Sequence, residues 1–123
     1  MFRPRLIPVL LLNGRTLVKS LRFKDYRYIG DPMNAVRLFN EFRADELAFF
    51  DILATKENRS ISLELVRDIG EQANMPFAVV GGIKSLEDVR GVIAAGAEKV
   101  VINTVAVENP DFVRQASDSF GAS

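Results

Sequence analysis

The chain has 123 residues, enough for one domain with a hydrophobic core, and its 16 basic and 16 acidic residues cancel. Without a basic excess or an acidic tail, a nucleic-acid partner is not indicated. Cysteine and histidine are absent, which excludes disulfides, zinc sites and catalytic triads. Carboxylates, lysines and backbone dipoles remain for any chemistry, and we expect no metal ion or cofactor. No apolar run approaches membrane-spanning length, so a cytoplasmic protein without membrane contact is expected.

The first quarter of the chain predicts a strand followed by a hairpin. Residues 5–12 predict a strand buried on both faces, because their apolar side chains do not alternate with polar ones. Asn13-Gly14 is a strong turn signal, and residues 15–19 with 20–24 predict a small hairpin beyond it. The polar and aromatic stretch 25–30 is predicted to be a loop, which is either a lid over a site or a plain surface loop.

The centre of the chain predicts a helix, a strand and a second helix. Asp31 and Pro32 suit the start of the first helix. Its apolar face at helical spacing consists of Ala35, Leu38, Phe39 and Phe42. Residues 46–52 predict the second strand, with Asp51 near its carboxyl end, and a loop follows at 54–59. The helix predicted over residues 60–73 buries Ile61, Leu65, Val66 and Ile69.

Residues 77–109 predict a strand, a glycine turn, a helix and a further strand. Residues 77–80 are apolar β-formers, and Gly81-Gly82 ends the run. Ser85 followed by Asp88 matches a capping box at the start of a helix, and Gly96 follows its last turn. Residues 99–102 predict a buried strand. Two strands joined by one helix form a βαβ unit with parallel strands.

The two polar turns of this unit follow the carboxyl ends of parallel strands, and we therefore expect them at the same edge of the sheet. That edge is where parallel α/β proteins place their ligands. Gly81 and Gly82 allow backbone N–H groups to approach an anion, and Asn103 and Thr104 supply side-chain donors. The alternative is that Gly82 only forms a turn and that Asn103 and Thr104 only cap a helix.

The last segment completes four βα units in a single domain spanning residues 1–123. Asn109-Pro110 precedes a helix that carries Val113, Ala116 and Phe120. Repeated βα units predict a parallel sheet with helices outside it. Four units are half of an eight-unit barrel, which typically needs about 250 residues. The predicted fold class is therefore α/β, as half of a TIM (βα)8 barrel, and an open four-stranded α/β sandwich is the alternative.

Several of these motifs, in order and along nearly the whole chain, resemble one family. The matching stretches are RLIPVLLL, GDPMNAVRLFNEFRADEL, FFDILATKENR, ELVRDIGEQANMPFAVVGGI, GAEKVVINTVAVENP and SFG. They resemble the N-terminal half of the cyclase subunit of imidazole glycerol phosphate synthase, the HisF-type (βα)8 barrel. The resemblance implies a phosphate site at Gly82, Asn103 and Thr104.

The resemblance also implies a gate at the amino-terminal mouth of the barrel, where the family passes ammonia from a glutaminase partner. Three members of its charged ring fall on Arg5, Glu46 and Lys99, each at or before the start of a predicted strand. The alternative is ordinary surface ion pairing, which contributes little by itself.

One departure from the family concerns catalysis. The family's catalytic aspartate on the first strand falls on Leu11, and leucine cannot transfer a proton. Lys19 matches a family lysine on the loop after the first strand, and Asp51 matches a carboxylate near the second strand. Both could still contact substrate and are the remaining catalytic candidates. With leucine at this position and its RPRLIPVLLL opening, the chain resembles a group of HisF-type paralogues. These accompany a glutaminase and an amidotransferase in surface-polysaccharide gene clusters, where the barrel is thought to help amidate a sugar.

Three functional hypotheses follow. The first is a HisF-like half-barrel that binds a phosphorylated ligand and receives ammonia from a class I glutamine amidotransferase, without cyclase activity. The second is a fragment of a histidine-biosynthesis cyclase, a lyase, and the third is a non-catalytic scaffold. Four parallel strands leave two strand edges and an inner apolar face uncovered. We expect that face to include Ile7, Val9, Phe49, Val79 and Val101 or their neighbours. A homodimer that completes the barrel is therefore predicted.

Overall fold

A computed structural model describes residues 4–21, 25–54, 59–102 and 110–120. Strands β1, β2 and β3 span Val9–Asn13, Thr16–Leu21 and Asp25–Gly30, and helix α1 spans Pro32–Glu41. Strand β4 (Leu47–Asp51) leads to α2 (Leu63–Gln72), and β5 (Phe77–Val80) leads to α3 (Leu86–Ala94). Strand β6 (Lys99–Val101) is followed by α4 (Pro110–Phe120).

The strands form one six-stranded sheet in the order β3-β2-β1-β4-β5-β6. Strands β1, β4, β5 and β6 are parallel neighbours, whereas β2 and β3 extend the sheet beyond β1 as an antiparallel hairpin. Helices alternate with the parallel strands, so the predicted four βα units are confirmed. This arrangement is that of half a (βα)8 barrel.

The hairpin differs from its prediction. Residues 25–30 were predicted to be a loop, but they form β3, which pairs with β2 from Leu21 opposite Asp25 to Leu17 opposite Gly30. The polar residues of this stretch suggested a loop, yet Tyr26, Tyr28 and Ile29 favour a strand once β2 offers a pairing edge. The prediction that the edge of β1 is unpaired is therefore wrong at its carboxyl end, where β2 pairs with Leu12 and Asn13.

The helix starts follow the predicted capping chemistry. The Asp31 side chain accepts a hydrogen bond from the Met33 N–H at 2.8 Å, with Pro32 in the first turn. Ser85 and Asp88 form the predicted capping box of α3. Helix α2 begins three residues later than predicted, because Ser62 is its N-cap and accepts a hydrogen bond from the Leu65 N–H at 3.2 Å. Asn109, the predicted cap of α4, lies outside the described residues.

The core lies between the helices and one face of the sheet. Leu10, Phe49, Val79 and Val100 form a row across the parallel strands on this face. The rings of Phe49 and Phe77 meet edge to face, with centroids 6.1 Å apart. The buried helical side chains that cover them include Val36, Leu65, Val66, Ile69, Val89, Val92 and Phe112.

On two helices the predicted apolar face meets the core only in part: Ala35 and Phe39 of α1 and Phe120 of α4 pack against it. Leu38 of α1 and Phe42 at its C-cap are 47% and 66% exposed, whereas Pro32 and Val36 are buried. Apolar side chains surround more than half of this helix, so its sequence does not decide the rotation, and docking on the sheet does. On α4, Phe112 is buried while its neighbour Val113 is exposed.

The other face of the sheet is apolar and open. Leu11, Phe50, Val80 and Val101 form a row across it, and Val9, Phe50 and Val101 are exposed. We refer to this side as the open face. Of the residues predicted for it, Phe49 and Val79 face the helices instead, and their neighbours Phe50 and Val80 lie on the open face, because strand side chains alternate.

Candidate functional site

A cluster of three charged side chains lies at the amino ends of the parallel strands. One carboxylate oxygen of Glu46 lies 2.9 Å from the Lys99 Nζ, and the other lies 3.3 Å from the Arg5 Nη2. The Glu46 side chain is 5% exposed, while those of Lys99 and Arg5 are 36% and 59% exposed. The structure thus brings all three predicted gate residues together around a buried carboxylate.

Backbone contacts hold the Arg5 segment beside the start of β4. The Asp45 carboxylate accepts a hydrogen bond from the Leu6 N–H at 2.7 Å, and the Asp45 N–H donates to the Leu6 carbonyl at 3.0 Å. The Ala48 N–H donates to the Pro8 carbonyl, also at 3.0 Å. These bonds fix the segment that carries Arg5, just before β1, against the segment that carries Glu46, so the ion pair forms between two anchored segments.

The strand register places the cluster on the open face. Lys99 is in register with Ala78, Ala78 with Ala48, and Ala48 with Val9. Glu46 lies two residues before Ala48, so it shares that face. The next row toward the carboxyl edge is the apolar one that contains Leu11 and Phe50. A charged layer at the amino edge is therefore followed by an apolar layer.

At the opposite edge, Gly81 and Gly82 form the turn after β5. Both have positive φ angles, 144° and 66°. A Cβ on Gly81 would lie 2.9 Å from the Asp51 carbonyl oxygen, and one on Gly82 would collide with the Arg59 carbonyl. Glycine is thus required here for backbone conformation and for close approach. Asn103 and Thr104, the other predicted phosphate-binding residues, lie outside the described residues.

The N-terminus of α3 is already occupied by a side chain of its own. The Asp88 carboxylate accepts hydrogen bonds from the Lys84 and Ser85 N–H groups at 2.9 and 3.2 Å. The Ser85 Oγ in turn accepts from the Asp88 N–H at 3.1 Å. Because this negative charge already lies at the start of the helix and binds the N–H groups of the two residues before it, an anion at this edge would depend on the glycine turn.

Asp51 is fully enclosed and engaged by an arginine. Its two carboxylate oxygens accept hydrogen bonds from Arg59 at 2.5 and 3.1 Å, and one also accepts from the Leu53 N–H at 3.3 Å. The Asp51 side chain is 0% exposed and that of Arg59 is 32% exposed. Sequence reasoning missed Arg59, although opposite charges at the two ends of a loop are a detectable signal.

Two further positions on β1 and β2 bear on catalysis, Leu11 and Lys19. Leu11 lies on the open face in register with Phe50, so this position is apolar. Lys19 belongs to β2, opposite Arg27 of β3, and its side chain lies outside the described part of the structure.

Within the described ranges, no three acidic side chains gather as a metal site would require. None of the described helices has the length and hydropathy needed to cross a bilayer.

The known proteins that are similar to this chain belong to one family. Two relatives, from Leptospira borgpetersenii and Leptospira interrogans, are 43% and 40% identical to the chain over 99% and 98% of its length. Both are named "Putative imidazole glycerol phosphate synthase subunit HisF". A similarly named subunit from Pseudomonas aeruginosa is 43% identical over 99% of the chain.

The chain spans about half the length of these curated relatives, covering 48%, 48% and 49% of them. The matched half agrees with the four βα units of the structure, since a complete barrel has eight. The family model described as "Histidine biosynthesis protein" matches residues 5–123. The chain with the charged cluster, the glycine turn and the half-barrel sheet therefore belongs to the histidine biosynthesis protein family, among its HisF-like members.

Proposed function

We propose that this chain is the ammonia-receiving, phosphate-binding half of a HisF-like barrel whose reaction is an amidation of a sugar and not a cyclisation. The observation that carries the proposal is the Glu46 cluster. The buried Glu46 carboxylate, paired with Arg5 and Lys99, lies at the amino end of the open face. The partner that would deliver ammonia is a class I glutamine amidotransferase, and the ligand at the carboxyl edge is a phosphorylated small molecule.

The layering of the open face supports passage of a neutral molecule. Beyond the charged cluster, Leu11, Phe50, Val80 and Val101 offer no hydrogen-bonding side chain. Moving an ammonium ion along such a surface without a counter-ion is costly, whereas uncharged ammonia avoids most of this penalty. The ion pairs of Glu46 would open to admit ammonia and otherwise keep ions and water out.

The carboxyl edge supports binding of a phosphate group. The Gly81–Gly82 turn brings bare backbone to the end of β5, and no Cβ fits between it and the adjoining loop. Successive N–H groups in such a turn favour an anion. In the proposed site, Asn103 and Thr104 add their donors from the end of β6.

The apolar residue at position 11 supports amidation over cyclisation. Leu11 replaces the one carboxylate that a cyclase of this family would need on the first strand, and its neighbour across the sheet, Phe50, has no titratable group either. The cyclase of histidine biosynthesis remains the second candidate because of the names of the relatives. Expression in a histidine auxotroph that lacks its cyclase separates the two, since growth without histidine would contradict our proposal.

A second copy of the chain is proposed to cover the open face. Val9, Phe50 and Val101 are exposed apolar side chains on one surface, and β6 is an edge strand of the described sheet. Four parallel strands from each of two copies make the eight that close a barrel, and two-fold symmetry is the commonest oligomeric solution. Light scattering across a range of protein concentrations should give a stable dimer, whereas a well-folded monomer would contradict closure by a second copy.

The ammonia proposal is tested with a purified class I glutaminase subunit. We expect a one-to-one complex by calorimetry and glutamine hydrolysis that rises when the chain is added. Glu46→Gln should retain the complex but alter the coupling between the two proteins, because it removes the charge that holds both cations. Arg114→Gln, which loses only an exposed contact with Asp111 on α4, is the matched control. Absence of any complex at micromolar concentrations would favour the non-catalytic scaffold.

A further inference from the structure

The Asp51–Arg59 pair joins the two ends of the segment between β4 and α2. Asp51 ends β4, and Arg59 is the residue at which the described chain resumes before α2. The paired oxygens and nitrogens lie 2.5 and 3.1 Å apart, which is bidentate geometry. Charge-assisted pairs of this kind fix orientation as well as distance, so the Arg59 backbone is held relative to the strand.

Backbone hydrogen bonds reinforce the same closure. The Arg59 N–H donates to the Ala54 carbonyl at 2.9 Å, and the Ala54 N–H donates to the Asp51 carbonyl at 3.4 Å. The Leu53 N–H donates to the Asp51 carboxylate at 3.3 Å. Asp51 therefore organises both the chain that leaves β4 and, through Arg59, the chain that returns toward α2.

The glycine turn rests directly on these two residues. Gly81 faces the carbonyl and Cβ of Asp51, which a methyl group would approach to 2.9 and 3.0 Å. Gly82 faces the carbonyl of Arg59 and the Cα of Ser60, the latter at 2.9 Å from a notional Cβ. With backbone packed on backbone and no side chain between, a displacement of Arg59 is transmitted to Gly82.

We propose that Arg59 is a positioning residue for anion binding at Gly81 and Gly82, and that it acts through its ion pair with Asp51. The carboxylate of Asp51 is thereby used to shape the site and not to contact substrate. The inference rests on the proposed phosphate site for its ligand. Its physical basis is preorganisation: donors held in place before binding lose less entropy when the anion arrives.

Three variants of the full chain test this inference, with inorganic phosphate as the probe and 15N NMR of the Gly81 and Gly82 amides as the readout. Asp51→Asn keeps Arg59 but breaks the charge pair, and we expect phosphate to bind about tenfold more weakly. If Arg59 instead contacted the anion itself, releasing its charge from Asp51 would strengthen binding. The Asp51→Asn result therefore separates positioning from direct contact.

The double variant separates positioning from stability. Arg59→Gln leaves the Asp51 carboxylate buried without its cation and should lower the melting temperature. Asp51→Asn with Arg59→Gln removes that unpaired charge, so the melting temperature should recover while phosphate affinity stays about tenfold reduced. Arg90→Gln, which loses only an exposed contact with Glu87 on α3, is the matched control and should change neither quantity.

Two outcomes would overturn the inference: wild-type phosphate affinity in the double variant, or tighter binding in Asp51→Asn. A wild-type chain that shows no response to phosphate would contradict the proposed function instead. In that case hydrogen exchange of the Gly81 and Gly82 amides still decides the positioning role. Their exchange should be faster in the double variant than in wild type, and unchanged rates would exclude the role.

Discussion

Glu46 binds Lys99 through one carboxylate oxygen and Arg5 through the other, at 2.9 and 3.3 Å. Arg5 precedes β1, Glu46 precedes β4 and Lys99 begins β6, so their contact depends on how these three strands are aligned in the sheet. Because Glu46 is buried and both cations are more exposed, the carboxylate depends on its partners more than they depend on it. This asymmetry determines how the cluster should respond to mutation.

Lys99→Met should destabilise the chain more than Arg5→Met does. Lys99 makes the shorter and less exposed contact, and its loss leaves Glu46 buried with only the longer contact to the more exposed Arg5. We expect a loss of about 2 kcal/mol in the free energy of unfolding for Lys99→Met, below the range for fully buried pairs because Lys99 is partly solvated. Urea denaturation measures the difference.

The control for this prediction is Arg114→Met, which removes an exposed contact with Asp111 on α4. It should change stability by less than about 0.5 kcal/mol. Adding Glu46→Gln to Lys99→Met should restore part of the lost stability, since the buried charge is gone. Equal losses for Lys99→Met and Arg114→Met would show that Glu46 does not need its cations.

Gly82→Ala and Gly14→Ala should differ sharply although both replace a glycine in the left-handed region. Their φ angles are 66° and 64°. No atom lies within 4 Å of a Cβ on Gly14, whereas one on Gly82 would collide with the Arg59 carbonyl. We expect about 1 kcal/mol of destabilisation at Gly14, from conformation alone, and at least twice that at Gly82. Thermal unfolding of both variants tests this prediction. Equal losses of stability would mean that the segment at Arg59 moves away from the new Cβ at little energetic cost.

Phe50→Asp should prevent self-association without unfolding the chain. Phe50 lies on the open face and is partly exposed, so a charge there would be buried only when a second copy covers it. Sedimentation should show a monomer with wild-type circular dichroism. Phe42→Asp, at the exposed C-cap of α1, is the matched control and should leave the dimer intact. Dissociation by both variants would point to a different interface.

Asp88→Asn should strengthen phosphate binding while it weakens α3. The substitution removes a negative charge from the turn that follows Gly82 and a strong acceptor from the capping box. We expect a stability loss of about 1 kcal/mol and a phosphate affinity a few-fold higher at low salt. Asp111→Asn, in the first turn of α4, controls for net charge. Unchanged phosphate affinity would place the anion away from this turn.

The positions of the strands β4, β5 and β6 and of the caps at Asp31 and Ser85 could be predicted because they depend on local sequence. Apolar runs, glycine turns and capping residues act within a few positions of themselves. The hairpin could not be predicted in the same way. Residues 25–30 become a strand only because β2 pairs with them, and that preference is set by the neighbour.

The candidate site likewise contains residues that could be predicted from the sequence and a pairing that could not. The family motifs brought Arg5, Glu46 and Lys99 to one edge in the prediction, and the structure brings their charged groups into contact. The pairing of Asp51 with Arg59 was missed, because opposite charges at the two ends of a loop show that a pair is possible but not whether the carboxylate holds the loop or faces a ligand.

The sequence by itself determined that this chain alternates strands and helices in parallel βα units, with a glycine turn at one sheet edge and charged residues at the other. Only the tertiary structure decided which side of each element is buried. Phe49 and Phe50 are adjacent and chemically identical, yet one lies in the core and the other on the open face. The reason is that strand parity and helix rotation are set by long-range packing, to which every element contributes at once.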